Sequence, residues 1–118
     1  MKFVTISQAQ GRIPVTVLQL QDRVNMGNTA ELEQAANEAY AAGERNMVID
    51  LSKVSSLTSA GIRTILVIYK MLTEPKKDKT RHLKMVNPTP YVREVLDIAG
   101  LLENIEIYDS LDEAVASF

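Results

Sequence analysis

Apolar and polar residues alternate along this chain at two different periods, and the switches between periods mark its elements. Phe3 to Ser7 alternates with period two. Val4 and Ile6 share one side and Thr5 and Ser7 the other, which predicts a half-exposed edge strand. Gln8 to Arg12, with Gly11 inside it, is a turn signal. Pro14 opens the next run and suits only a strand start or edge. From Val15 to Leu20 both sides are apolar, Val15 and Val17 on one, Leu18 and Leu20 on the other. That predicts a more deeply buried strand, hairpin-paired with the first. Gln21 to Gly27 reads as a polar connection. The period then lengthens: Leu32, Ala35, Ala36 and Ala39 mark a helical face whose small residues suit close packing on a sheet. Asn28 and Glu31 have the spacing of a capping box, and Gly43 is placed as the C-terminal stop.

Met47-Val48-Ile49-Asp50-Leu51 is a short apolar run, β-branched in the middle, as expected of a strand buried on both faces. The loop expected next carries five hydroxyls: Ser52, Ser55, Ser56, Thr58 and Ser59. After Gly61, the residues Ile62, Ile65, Leu66, Tyr69 and Leu72 recur at intervals of three and four, one face of an amphipathic helix. Burial of Val48, Ile49 and Leu51 against Ile62, Ile65 and Leu66 is the expected source of stability, at about 1.5–3 kcal/mol for each fully buried side chain. Pro75 closes the helix, and Lys76, Lys77, Lys79 and Arg81 make Thr73 to Arg81 locally basic. We read this as a solvated loop, with a docking patch for an acidic partner as the alternative.

His82 to Val86 is a short strand, with His82 expected to be exposed at its start. Asn87-Pro88 is a turn, followed by Thr89 as N-cap and Pro90 at the first helical position. Val92, Val95, Leu96 and Ala99 form a helical face that Gly100 ends. Ile105 to Tyr108 is a last strand, and Ser110-Leu111-Asp112-Glu113 fits a capping box opening a terminal helix through Ala116. The order β-β-α-β-α-β-α-β-α predicts a single α/β domain over residues 1–118. An N-terminal β-hairpin is followed by alternating strands and helices, giving a mixed, mostly parallel sheet packed by about four helices.

The 118 residues suffice for one sizeable core. Hydrophobic residues make up 46% and charged residues 24%, which is ordinary for a folded domain and not for a disordered chain. A net charge of −2 gives no reason to expect nucleic acid. Without cysteine, disulfides and thiolate chemistry are excluded, and a lone histidine makes a metal site an unpromising expectation. No run approaches the ~18 apolar residues of a membrane span, and the N-terminal run is too short for a signal peptide. A cytoplasmic protein with no membrane insertion is expected.

Enzyme signatures are missing. The sequence has no Gly-rich phosphate loop, nucleophile elbow, HExxH or histidine pair, so neither catalytic residues nor a cofactor are expected. Asp50 lies inside a buried strand. A general base is one reading; an acceptor for N–H groups of the following loop is the one we expect. Thr58-Ser59-Ala60-Gly61 is more informative, because a hydroxyl-rich segment runs into a helix N-terminus, where free N–H groups and the dipole favour an anion. Two readings stand at this point. Thr58 or Ser59 is an N-cap and Gly61 permits close packing, or Ser59 is a phosphoacceptor. Arg63, one turn on, and Lys53 before it are placed to pair with a phosphate.

The segment VIDLSKVSSLTSAGIRTIL resembles the STAS domain family, specifically the bacterial anti-sigma factor antagonists. The matching features are the strand ending in Asp50-Leu51-Ser52 and the Thr58-Ser59-Ala60-Gly61 step that opens a helix. VREVLDIAGLLENIEIYDSLDEAV resembles the family's last helix-strand-helix. The resemblance implies a regulatory switch that is not an enzyme. Its partner would be an anti-sigma factor that is also a serine kinase and phosphorylates Ser59, with Thr58 as the alternative acceptor. A serine phosphatase would reverse the modification. It also implies a partner surface of Asn25, Thr58, Ser59, Ala60, Gly61 and Arg63. Thr58 stands where many antagonists have Asp, Ala60 where many have a second Ser, and Asp22 and Asn25 where Gly and Asp are usual. A phosphorylation-independent STAS interaction module of a transporter or sensory complex is the alternative, and a small-molecule or nucleotide sensor using the helix N-terminus as an anion site ranks third.

Overall fold

The structure, a computed structural model, describes residues 3–73 and 82–118. The basic segment Lys76, Lys77, Lys79 and Arg81, with Pro75, lies outside them. The strands are β1 (Val4–Gln10), β2 (Pro14–Val24), β3 (Met47–Leu57), β4 (Leu83–Val86) and β5 (Glu106–Tyr108). The helices are α1 (Thr29–Ala41), α2 (Ser59–Thr73), α3 (Pro90–Ile98) and α4 (Leu111–Ala116), with a 3₁₀ turn at Leu101–Glu103. The strands form one five-stranded sheet in the order β1-β2-β3-β4-β5. Only β1 is antiparallel to its neighbour; β2 to β5 are parallel. This is the expected α/β arrangement of hairpin followed by crossovers.

The sheet order explains where the helices sit. Every crossover from β2 onward steps the same way along the sheet, so right-handed connections place α1, α2 and α3 on one face. There Leu32, Ala35 and Ala36 of α1, Ile65, Ile68 and Leu72 of α2, and Val92 and Leu96 of α3 close over Leu18, Leu20, Met47, Ile49, Leu51, Leu83 and Met85. The short α4 covers the other face, where Ala114 and Val115 pack on Val15, Val48 and Val86. Val48 therefore does not pack against α2, contrary to expectation. Successive strand residues point to opposite faces, so Val48 must turn away from Ile49's helices. The buried stripe of α2 is also rotated from the expected one: Thr64, Ile65 and Ile68 are buried, whereas Ile62, Leu66 and Tyr69 are only partly so.

Two strands run further than their apolar residues suggest. The segment from Ser52 onward is not a loop but the second half of β3, and Gln21 to Val24 belongs to β2. Both extensions pair with each other, Gln21 with Lys53 and Val24 with Leu57, across register shifts after Gln19 and Asp22. Asp22 takes a left-handed conformation, φ 60°, in this irregular stretch. The hairpin turn likewise lies at Gly11–Ile13, later than expected, because β1 continues through Gln10.

Several helix ends follow the sequence signals. Thr89 accepts from the Val92 N–H with Pro90 at the first position, and Ser110 accepts from the Glu113 N–H. Gly43, φ 99°, donates to Tyr40 while Glu44 donates to Ala39, the paired bonds of a Schellman end. The Asn28–Glu31 capping box does not form. Asn28 makes no cap bond, and Glu31 Oε2 instead accepts from the Val4 N–H at 3.0 Å, fixing α1 to β1. His82 is 7% exposed, not solvent-facing as expected. Its Nδ1 lies 2.8 Å from Asn46 Oδ1, and its carbonyl accepts from Met47 N–H, so the ring is held where β3 and β4 begin.

Beneath α4 a buried lysine ties the chain end to the sheet. Lys84 is 4% exposed; its Nζ bonds Ser117 Oγ at 2.6 Å, the Ser117 carbonyl at 3.1 Å and Glu106 Oε1 at 3.1 Å. The ammonium also lies 4.5 Å from the Phe118 ring centre. Lys84→Ala removes all of these while leaving Glu106 part-exposed. The expected loss is about 1–3 kcal/mol in urea denaturation, with hydrogen exchange accelerated selectively in α4.

Candidate functional site

The junction of β3 and α2 is built by a single bifurcated contact. The Val24 carbonyl, at the end of β2, accepts from both Thr58 N–H and Thr58 Oγ1, each at 3.0 Å. Thr58 thus ends the strand and, by accepting from the Ile62 N–H at 3.0 Å, begins the helix. Its hydroxyl is turned toward β2 and is not spent on capping α2. The N–H groups of Ser59, Ala60 and Gly61 belong to the first turn and have no intrahelical acceptor.

Ser59, the first residue of α2, is exposed, and its side chain takes no part in the hydrogen bonds among the described residues. Ala60 is partly exposed and Arg63 exposed. Serine and arginine four apart on a helix lie on one face, so Arg63 stands one turn above Ser59. Lys53, in β3, is also exposed. Gly61 is different, because it is buried and presents no surface. A Cβ there would lie 2.6 Å from Leu57 Cδ1 and 2.7 Å from Val24 Cγ1. Gly61 therefore sets how closely α2 starts against β2 and β3, as the packing reading of this residue expects.

Beside this junction runs the β2–α1 connection, held by two asparagines. Asn25 Oδ1 accepts from Gly27 N–H at 2.8 Å; Asn28 Oδ1 accepts from Asn25 N–H at 3.0 Å, and Asn28 Nδ2 donates to the Arg23 carbonyl at 2.6 Å. These bonds make a compact turn at the level of Thr58. Arg23, Asn25, Ser55, Ser56 and Thr58 line a shallow depression of about 550 Å³ between the turn and β3. At the crest of the turn Met26 is 84% exposed. Sequence reasoning missed Met26, although one apolar residue between Asn25 and Gly27 in a polar connection was the available signal. It also missed the Val24–Thr58 link, for which no local pattern exists.

Asp50 stands apart from this site. Its Oδ1 accepts from Ser52 N–H at 3.0 Å and its Oδ2 from Gln19 Nε2 at 3.3 Å. Its side chain shares the sheet face of Val48 and Gln19, away from α2. That is the structural role expected of it. No group of three or more possible metal ligands occurs among the described residues, and no described helix is long and apolar enough to cross a membrane.

A five-stranded mixed sheet with three helices on one face and a short fourth on the other is the fold of a known class. The STAS domain model matches residues 7–114, and the chain belongs to that family. It is 33% identical over 99 residues to a Bordetella bronchiseptica protein provisionally named anti-sigma factor antagonist BtrV, covering 84% of this chain and 82% of that one. The crystal structure of an anti-sigma factor antagonist from Mycobacterium paratuberculosis aligns with a TM-score of 0.81 and 26% identity, over 97% of this chain and 91% of that one. The fold is shared by the Bacillus cell fate determinant SpoIIAA in its phosphorylated form, with a TM-score of 0.71, 16% identity and 97% of each chain covered.

The tight start of α2 yields a direct test. Gly61→Ala forces a methyl group into Leu57 and Val24, and overpacking of this kind costs about 1–3 kcal/mol. Thermal unfolding is expected to register that loss, whereas Ala60→Ser, beside it on the surface, leaves the midpoint nearly unchanged.

Proposed function

We propose that this protein is an anti-sigma factor antagonist, a regulator and not an enzyme, with its STAS domain spanning residues 1–118. It binds an anti-sigma factor that is also a serine kinase, and Ser59 is the phosphoacceptor. The carrying observation is the division of labour between adjacent hydroxyls. Both residues are exposed, but Thr58 Oγ1 is bonded to the Val24 carbonyl, while the Ser59 side chain makes no hydrogen bond among the described residues. A kinase that must bring γ-phosphate in line with an oxygen finds the Ser59 hydroxyl uncommitted and the Thr58 hydroxyl engaged. That favours Ser59 over Thr58.

The partner surface comprises Asn25, Thr58, Ser59, Ala60 and Arg63, with Met26 as its apolar crest and Gly61 beneath it as support. Unmodified, the start of α2 is small and neutral. Phosphate adds about −1.5 to −2 charges and three strong acceptors. The first-turn N–H groups and Arg63 then satisfy the dianion locally. The domain keeps its fold while its contact surface becomes anionic and bulky, so an apolar or acidic partner patch is rejected. A serine phosphatase acting on the phosphorylated form restores binding. This scheme supports a cytoplasmic protein working without cofactor, metal, nucleic acid or membrane insertion. The likeness to SpoIIAA in its phosphorylated form supports the compatibility of this fold with a phosphate.

Incubation with the cognate kinase and ATP is expected to place phosphate on Ser59, located by mass spectrometry; phosphate on neither Ser59 nor Thr58 sinks the switch. Ser59→Asp is expected to weaken binding of the anti-sigma partner by tenfold or more, about 1.4 kcal/mol or more, with the unfolding midpoint unmoved. Equal binding by Ser59→Ala, Ser59→Asp and wild type would instead indicate a phosphorylation-independent interaction module.

A further inference from the structure

The two edges of the sheet are unequal. β5 has three residues, whereas β1 has seven, Val-Thr-Ile-Ser-Gln-Ala-Gln, with no charge, proline or bulge. Proteins ordinarily protect an edge of this length with such features. The pairing shows which groups of β1 face outward. Gln21 N–H donates to the Phe3 carbonyl, so the odd-numbered residues of β1 bond β2 and the even-numbered ones turn their N–H and C=O away from it. Val4 N–H is taken by Glu31 Oε2. Ile6, Gln8 and Gln10 remain as a row of outward donors and acceptors, and Ile6 is 48% exposed.

We propose that β1 pairs antiparallel with β1 of a second copy of this chain, across a two-fold axis at Gln8, so that two five-stranded sheets become one. Self-pairing needs a segment complementary to its own reversal, and charge decides the register. With the axis at Gln8, Gln8 faces Gln8 and Ile6 faces Gln10, all hydrogen-bonded pairs, and Val4, whose N–H is occupied, is left out. The same register carries the exposed Arg12 of each copy toward Val4 of the other, where the exposed Glu31 carboxylate sits. Opposite charges meet at both ends. An axis at Ile6 would instead pair Val4 with Gln8 and require the Val4 N–H, which Glu31 Oε2 already holds. Each Ile6 loses water contact against the neighbouring strand. The parallel strands of the two copies then run in opposite directions. Their two Ser59 sites, at the C-terminal ends of β3, point to opposite ends of the joined sheet and stay open.

The test uses the chain's lack of cysteine. Sedimentation equilibrium of the wild type at high micromolar concentration is expected to give twice the chain mass, and Gln8→Lys, placing like charges on the axis, to give a single chain with an unchanged circular dichroism spectrum. Gln8→Cys should form a disulfide-linked dimer under mild oxidation, since directly paired strand residues are within disulfide reach. Ile6→Cys alone should not, because its two copies lie about 14 Å apart at four residues' rise. A mixture of Ile6→Cys and Gln10→Cys should cross-link, a check independent of the Gln8 side chain. A single-chain mass for the wild type overturns the proposal. So does a doubled mass without cross-links at Gln8→Cys and in the Ile6–Gln10 mixture.

Discussion

One carbonyl oxygen holds the functional end of this domain together. Val24 ends β2, and by accepting two hydrogen bonds from Thr58 it fixes where β3 stops and α2 starts. The same residue meets Gly61 one turn into the helix, at a distance that leaves no room for a side chain. Backbone hydrogen bonding and the missing Cβ act in one direction: together they press the first turn of α2 against the paired ends of β2 and β3. The asparagine-held turn follows immediately after Val24, so it is placed by the same contact. Ser59 is positioned from behind and exposed in front. An exposed residue on such a rigid base can change its chemistry without disturbing the core.

The two sheet faces carry different responsibilities. Three helices and the larger apolar cluster lie on one face. The other has only the short α4, and polar groups enter its interior: Asp50 with Gln19, and Lys84 with Ser117 and Glu106. Asp50 and Lys84 are buried, and each has hydrogen-bond partners, as interior polar groups must. The junction at Ser59 belongs to the well-filled face, where α2 is anchored along its length by Ile65, Ile68 and Leu72. A charge gained at the start of α2 is therefore set on the face with the larger apolar cluster.

Element order and type were readable in the sequence because they depend on local periodicity, and the caps at Thr89 and Ser110 and the stop at Gly43 because they depend on local chemistry. Strand ends were not. Ser52 to Ser56 has few apolar residues and resembles a loop, yet it pairs with Gln21 to Val24, which is just as polar. Each segment becomes a strand because of the other, 30 or so residues away, and no window on one of them contains that information. His82 and Glu31 failed for a related reason. Their partners, Asn46 and Val4, come from distant elements and override the local preference for exposure or capping. At the candidate site the sequence put Ser59 where a coil becomes a helix and gave Gly61 a packing role, but passed over Met26, whose prominence depends on how the turn at Asn25 is folded.

Strands that lie across the sheet in the order they occur in the chain have a consequence for how the protein comes into being. As the polypeptide leaves the ribosome, the hairpin can close first, and each later helix and strand finds its neighbour already waiting on the growing side. No strand must be threaded between two others. The three-residue strand and the helix after it emerge after the other four strands and seal the opposite face with the lysine beneath them, so nascent chains gain that lock only once the rest of the sheet has been made.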